Sequence, residues 1–476
     1  MRISPIYKLI GIVFILFSAG ACKTMQNNVR EVNKTVPVSY KNSQDTMNLA
    51  QLNWRTYFAD ENLVALIDTA LKNNQELNIM LQEIEVGKNE IRARKGEYLP
   101  FVRAGAAVGV EKVGKYTRSG AVEEQLDIKE GRKFPDPLAD YYLGVSASWE
   151  VDIWRKLRNA KKSAVMRYLS STEGKNFMVT NLISEISEAY YELEALDNQL
   201  EIIRQNTEIQ SNALRVVQRL KESAKVTQLA VNRFEAQLLN TQNLQYDVLQ
   251  RITEVENHIH FLTGKYPQQI RRNSASFNSI QIDSSGFGIP AQLLANRPDI
   301  RQAEFELEAA KLDVKVAKAN FYPSLDITAG VGFQSFNAAY LLNPHSILYN
   351  IAGDLMAPLI NRNAIKAAYN TATAQQLKAV YNYEQKILNA YVEVLNQVSM
   401  IDNSSKSYAT KAREVDILMQ SINISNNLFN SARADYGEVL LTQREALESK
   451  MELIEVKMKQ LKARVNIYRA LGGGWK

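Results

Sequence analysis

The chain has 476 residues, 57 basic against 51 acidic, a formal charge of +6 and a single cysteine. One cysteine excludes an intramolecular disulfide, a cysteine-based zinc site and an iron–sulfur cluster, and three histidines leave little material for metal or acid–base chemistry. With 46% apolar and 23% charged residues the composition is that of a folding chain, and the basic excess is too small to imply a nucleic-acid partner.

Residues 1–21 read as an export signal. Arg2 and Lys8 give a positive start, residues 9–17 a short apolar core, and Ser18-Ala19-Gly20-Ala21 small side chains that fit a peptidase groove. Cleavage there removes both basic residues and lowers the charge from +6 to +4. The next residue is the only thiol, Cys22. The segment resembles the signal of bacterial lipoproteins, which are cut before a cysteine that is then acylated with fatty chains such as palmitate. Ala19 stands where leucine is usual. An ordinary secretory signal with an incidental cysteine is the alternative. Residues 22–60 are expected to form a lipid-anchored extension. No further apolar run of about 18 residues exists, so the mature chain should hold no transmembrane helix.

From residue 61 two patterns alternate. One has period two. Val102, Ala104, Ala106, Val108 and Val110 alternate with small or polar residues, as do Tyr141, Leu143, Val145, Ala147, Trp149 and Val151. Leu325, Ile327, Ala329, Val331 and Phe333 form a third run, and Ile347, Tyr349, Ile351 and Leu355 a less regular fourth. These predict strands over about 100–115, 140–152, 323–336 and 346–358, each about 10 residues, the length of a tilted strand crossing a bilayer. A half-buried sheet in a soluble domain alternates too. Residues 116–137, with Pro135 and Pro137, read as an external loop.

The other pattern is helical. Residues 138–266 and 359–476 contain no proline, and a helix-interior proline costs about 3 kcal/mol. Leu182, Ile186, Ala189, Leu193, Leu196, Leu200 and Ile203 step by four and three, as do Leu447, Met451, Ile454, Met458, Leu461, Val465 and Tyr468. That 3.5-residue seam is a coiled-coil signal. It predicts helical hairpins over about 155–263 and 360–470. His258 and His260 lie two apart on such a helix, point away from each other and read as structural or surface residues rather than metal ligands. Gly472–Gly474 reads as a chain stop.

The two halves share one order: helix, proline, strand, loop, strand, long hairpin. Placing Pro100 on Pro323 matches Asn73 with Asn296 through Gly109 with Gly332 without a gap. Residues 188–193 and 389–394 extend the likeness. The organisation is therefore a repeat, 61–270 and 290–475, consistent with duplication. Four membrane strands cannot close a barrel, and an open edge would leave backbone groups unpaired in hydrocarbon. Other chains must complete the sheet. Strand counting alone does not choose between dimer and trimer.

Three motifs carry a family resemblance: Asn296-Arg297-Pro298-Asp299-Ile300-Arg301 continuing to Phe321-Tyr322-Pro323-Ser324, Trp149-Glu150-Val151-Asp152-Ile153-Trp154, and Leu471-Gly472-Gly473-Gly474-Trp475. In this order they resemble the TolC/OprM-like outer-membrane factors, in particular the lipoprotein components of multidrug efflux systems. The resemblance implies a mixed α/β membrane protein: a homotrimer with a twelve-stranded outer-membrane β-barrel, four strands per chain, and a long periplasmic α-helical barrel. It implies a passive exit channel for drugs or other small toxic compounds, lipid-anchored in the bacterial outer membrane. Its partners would be a periplasmic adaptor and an inner-membrane RND-type transporter, with no cofactor and no nucleic acid. The family's aperture, often ringed by acidic residues, points to Asp435 at the second hairpin turn, with Arg433, Tyr436 and, on the first turn, Lys225. That first turn lacks the glycine common in the family. The alternatives are a periplasmic adaptor lipoprotein, a lipid-attached scaffold, or a duct for metal cations or secreted polypeptides. No nucleophile–base arrangement or dinucleotide fingerprint is present, so an enzyme is not expected.

Overall fold

The proline-free stretches become the longest helices. The computed structural model describes residues 30–40, 47–281, 285–431 and 433–475. The export signal and Cys22 lie outside the described residues. Helices α1 (Glu61–Asn73) and α2 (Gln75–Glu97) lead into strands β1 (Phe101–Glu111) and β2 (Leu138–Val151), then helices α3 (Lys156–Glu222) and α4 (Gln228–Leu262). The second half repeats the plan with α5 (Pro298–Ala319), β3 (Ser324–Ser335), β4 (Ile347–Met356), α6 (Asn363–Asn430) and α7 (Tyr436–Ala470). Among the described residues no helix is long and apolar enough to cross a membrane.

The four strands pair antiparallel in the order β1-β2-β3-β4. Register decides what each face offers. The rows Val102–Ala147–Ala329–Ile351, Ala104–Val145–Val331–Tyr349 and Ala106–Leu143–Phe333–Ile347 run straight across all four strands. Because side chains alternate at period two, these rows share one face. The opposite face carries Arg103–Ser146–Gly330–Asn350 and Gly105–Gly144–Gly332–Leu348. The apolar face is not covered by protein: Val108, Val331, Tyr349 and Ile351 are all exposed. The segment read as a loop between β1 and β2 has structure of its own, a helix at Arg118–Gln125 and a ribbon pairing Asp127–Lys129 with Arg132–Lys133.

Helices α3 and α6 have 67 and 68 residues, about 100 Å at 1.5 Å per residue. The seam from Leu182 to Ile203 is buried at every position. In the second seam Leu447, Ile454, Leu461, Val465 and Tyr468 are buried, with Met451 and Met458 half-buried. The helices pack α3 on α4, α6 on α7, and α7 on α3. They therefore stand in the order α4-α3-α7-α6, and α4 and α6 are its free edges.

The two halves also share a latch. Asn74 separates α1 from α2, and its side-chain amide donates to the last carbonyl of α4, Leu262, at 3.0 Å. Arg297 stands at the equivalent break, and its Nη1 donates to the last carbonyl of α7, Ala470, at 2.8 Å. Just beyond each helix end Gly264 (φ 64°) and Gly472 (φ 89°) turn the chain. A Cβ at Gly264 would lie 2.5 Å from the Asn73 carbonyl oxygen, and one at Gly472 2.6 Å from that of Asn296. Only glycine fits both the backbone angle and the space. These helix ends are 208 residues apart. That spacing corrects the likeness of 188–193 to 389–394, which is 201 residues and thus one heptad out of register. A seam that repeats every seven residues matches itself after such a slip.

One buried acid lies beside α1. Glu194 of α3 is fully buried near Asp60. Asp60 caps α1 through the Asn62 and Leu63 amides and accepts from the Tyr190 hydroxyl at 3.2 Å. Burial, and then the Asp60 charge, push the Glu194 carboxyl from 4.5 up to about 8. The folded chain thus keeps a proton that the unfolded chain releases above its lower pKa. Stability falls as pH rises from about 4.5 towards 8. Glu194→Gln should remove this slope and stabilise the protein by about 3 kcal/mol at pH 7. Thermal melts of both proteins from pH 5 to pH 8 check it: the two should coincide at the acid end and diverge as pH rises.

Candidate channel aperture

The hairpin tips are built by two short turns. In the first, α3 ends at Glu222, and the amides of Ala224 and Lys225 donate to the carbonyls of Lys221 and Leu220, both at 2.9 Å. Ala224 takes a left-handed conformation (φ 57°), where a Cβ is unfavourable. In the second turn Asp435 is the N-cap of α7. Its carboxylate accepts from the amides of Gly437 and Glu438, the latter at 3.3 Å. The sequence signal for that role is an Asp directly before a long apolar-periodic run.

The two turns meet. A cleft of about 650 Å³ is lined by Leu220, Lys225, Val226, Phe429, Asp435 and Tyr436, among others. The Arg233 guanidinium of α4 lies 5.8 Å from the centre of the Tyr436 ring, joining one hairpin to the other. Lys225, Asp435 and Tyr436 are thus brought together. Arg433 is exposed and outside the lining, its amide donating to Leu428. Asp435 spends its hydrogen bonds on the helix start rather than on Lys225 or Arg433.

The three motifs reduce to two physical joints. At the first, Trp154 donates Nε1–H to the Pro323 carbonyl at 2.7 Å and stacks on Tyr322, centroids 4.6 Å apart. Trp149 donates to the Tyr98 carbonyl at 3.1 Å. Asp152 caps α3 by accepting from the amides of Leu157 (3.0 Å) and Arg158 (2.9 Å). Sheet and helices are thereby fixed to each other at the foot of β2. At the second joint Arg297 is buried and forks onto Asp299, with both contacts at 2.9 Å, and reaches Glu393 at 2.7 Å. Trp475 donates to the Asn296 carbonyl at 3.1 Å. The histidines face different neighbours, His258 the carboxylate of Glu185 and His260 the backbone of Gln268.

The chain matches the model of the family described as outer membrane efflux protein over residues 66–265 and 289–473. It belongs to the outer membrane efflux protein family. Among curated relatives it is 25% identical over 451 residues to the cation efflux system protein CusC of Escherichia coli O6:H1, covering 92% of this chain and 93% of that one. It is 24% identical over 476 residues to the probable outer membrane lipoprotein SilC of Salmonella typhimurium, covering 98% and 99%. The fold is that of the open-state MtrE outer membrane channel of Neisseria gonorrhoeae, with TM-score 0.82, 19% identity and coverage of 94% and 98%. This efflux protein is an exit channel of the outer membrane, its sheet the membrane part and its helices the periplasmic part. In it the period-two rows acquire their meaning: the apolar face meets lipid, the glycine-rich face meets water.

Proposed function

We propose that three copies of this chain close into a twelve-stranded barrel above a ring of twelve helices, and that the tips form its periplasmic aperture. The observation that carries this is the double opening of the protomer. The sheet ends in β1 and β4, the helical wall in α4 and α6, and each layer needs a neighbour on both sides. Leu239 and Tyr246 on α4 and Leu388 and Ile424 on α6 stay exposed in a single protomer. A backbone edge in hydrocarbon has no alternative partner.

The same reading gives the chain no catalytic step. A periplasmic adaptor docks at the tips, an RND-type transporter supplies the energy, and the channel conducts small toxic solutes outward. Cys22 carries the lipid anchor. Lys34 lies against Glu304 at 2.7 Å, and from Glu304 to the end of α5 is about 22 Å. The twelve Cα–Cα steps from Cys22 to Lys34 span up to about 40 Å when extended, enough to bring a lipid to the membrane. One observation favours cations among the solutes: Asp326 and Asp354 stand side by side on the water-facing side of β3 and β4, next to Glu150, which is paired with Lys156 at 2.5 Å.

Asp435 then has two roles that substitution separates. Asparagine caps a helix as well as aspartate does, whereas alanine costs about 1 kcal/mol. If the charges of three Asp435 side chains control the aperture, Asp435→Asn changes basal conductance in planar bilayers and leaves the melting temperature alone. Asp435→Ala changes both. Unchanged conductance in Asp435→Asn leaves Asp435 as a cap and removes it from the gate.

A further inference from the structure

The apolar core of the helical wall is interrupted. An upper cluster of ten buried residues joins Leu196, Leu200 and Ile203 of α3 to Val248, Ile252 and Val255 of α4. A lower cluster at the tips has five: Val217, Ala230, Val231, Phe234 and Val439. Between them α3 places Gln210, α4 places Thr241, and α7 places Gln443 one turn above Val439. Their exposures are 1%, 0% and 3%. Both amide atoms of Gln210, the Thr241 hydroxyl and the Gln443 carbonyl oxygen are buried without a hydrogen-bond partner. Such atoms have given up water and gained nothing in exchange, so they weaken the packing that encloses them. The two clusters that flank the band are apolar, and the buried polar side chains Asn206, Ser449 and Gln460 above it are hydrogen-bonded. A seam built only for rigidity would not leave polar atoms unpaired here.

We infer that the Gln210–Thr241–Gln443 band is a hinge at which the tips swing as a unit while the upper wall stays fixed. The inference rests on the tips being the aperture of a channel. The band lies twelve residues before the end of α3, about 18 Å from the tip. Closed packing keeps its polar atoms from water. Tilting the tips admits water to them, so opening is easier than with a continuous apolar seam. The small lower cluster moves intact because its contacts join α3, α4 and α7 below the band.

The test is the triple variant Gln210→Leu, Thr241→Val, Gln443→Leu, in the full-length protein in detergent and in planar bilayers. It should raise the melting temperature by roughly 5 °C and lower the frequency of basal opening about tenfold. Hydrogen–deuterium exchange on the unsubstituted protein gives a second readout. Amides below Gln210 and Thr241 should exchange about tenfold faster than those just above, and the step should vanish in the triple variant. Exchange that is continuous across the band overturns the hinge, as does a triple variant that is no more stable and opens as often as the parent. The exchange step decides the hinge even where neither protein conducts, which is instead the failure of the channel reading.

Discussion

Arg297→Ala is expected to cost about 3 kcal/mol, because it leaves the buried Asp299 carboxylate without its counter-charge, while Glu393 keeps Arg469 at 2.9 Å. The Arg297 side chain is 8% exposed and that of Asp299 6%. Burial opposes the Arg297 charge, but Asp299 and Glu393 outweigh it and hold the guanidinium protonated. Four acceptors converge on it: two Asp299 oxygens, Glu393 and the Ala470 carbonyl. It thereby ties the start of α5 to α6 and to the end of α7. Arg297→Lys should recover little, since an ammonium cannot reproduce the planar fork. Arg55→Ala serves as the control. Arg55 pairs with Asp68 in the open, with 53% and 46% of the side chains exposed, and its loss should stay within about 0.5 kcal/mol. Melting of the detergent-solubilised proteins separates the cases. An Arg297→Ala protein that melts with the parent would reduce the joint to a surface-like ion pair.

Val331→Arg should prevent assembly in the outer membrane. Val331 stands mid-row on the apolar face, between Val145 and Tyr349. An arginine facing hydrocarbon at that depth costs about 2–4 kcal/mol per copy, and a trimer contains three. Ser146→Arg is the matched comparison. Ser146 lies opposite Gly330, one residue along β3 from Val331, on the other face. There arginine meets water, so the protein should assemble normally and conduct less because the lumen is narrower. The yield of assembled oligomer in the outer-membrane fraction reads both. Normal assembly of Val331→Arg with failure of Ser146→Arg would exchange the two faces.

These expectations show which information is local. Alternation through Val102–Val110 and the seam from Leu182 to Ile203 are written in neighbouring residues, so strands, long helices and the family were legible from the chain alone. The latch was not. Arg297 meets Ala470 across 173 residues, and no period in either segment announces the other. The motifs were visible as strings, but that the first holds the third, and the second holds the end of the first, is a fact of packing. The seam itself misled at 188–193, because a heptad pattern fits equally well one repeat away. At the tips, the sequence drew attention to the charge of Asp435, whereas the fold uses its carboxylate first as a helix cap. Gln210, Thr241 and Gln443 gave no signal: isolated polar residues on a long helix ordinarily face solvent, and only the packing of α3, α4 and α7 shows them enclosed.

The most direct measurement is the native mass of the full-length protein extracted from the outer membrane in detergent. A particle of three protomers, each carrying acyl chains at Cys22, is the predicted result. A single water-soluble protomer, stable with β1 and β4 left unpaired, would contradict the closure of sheet and helices by neighbouring copies.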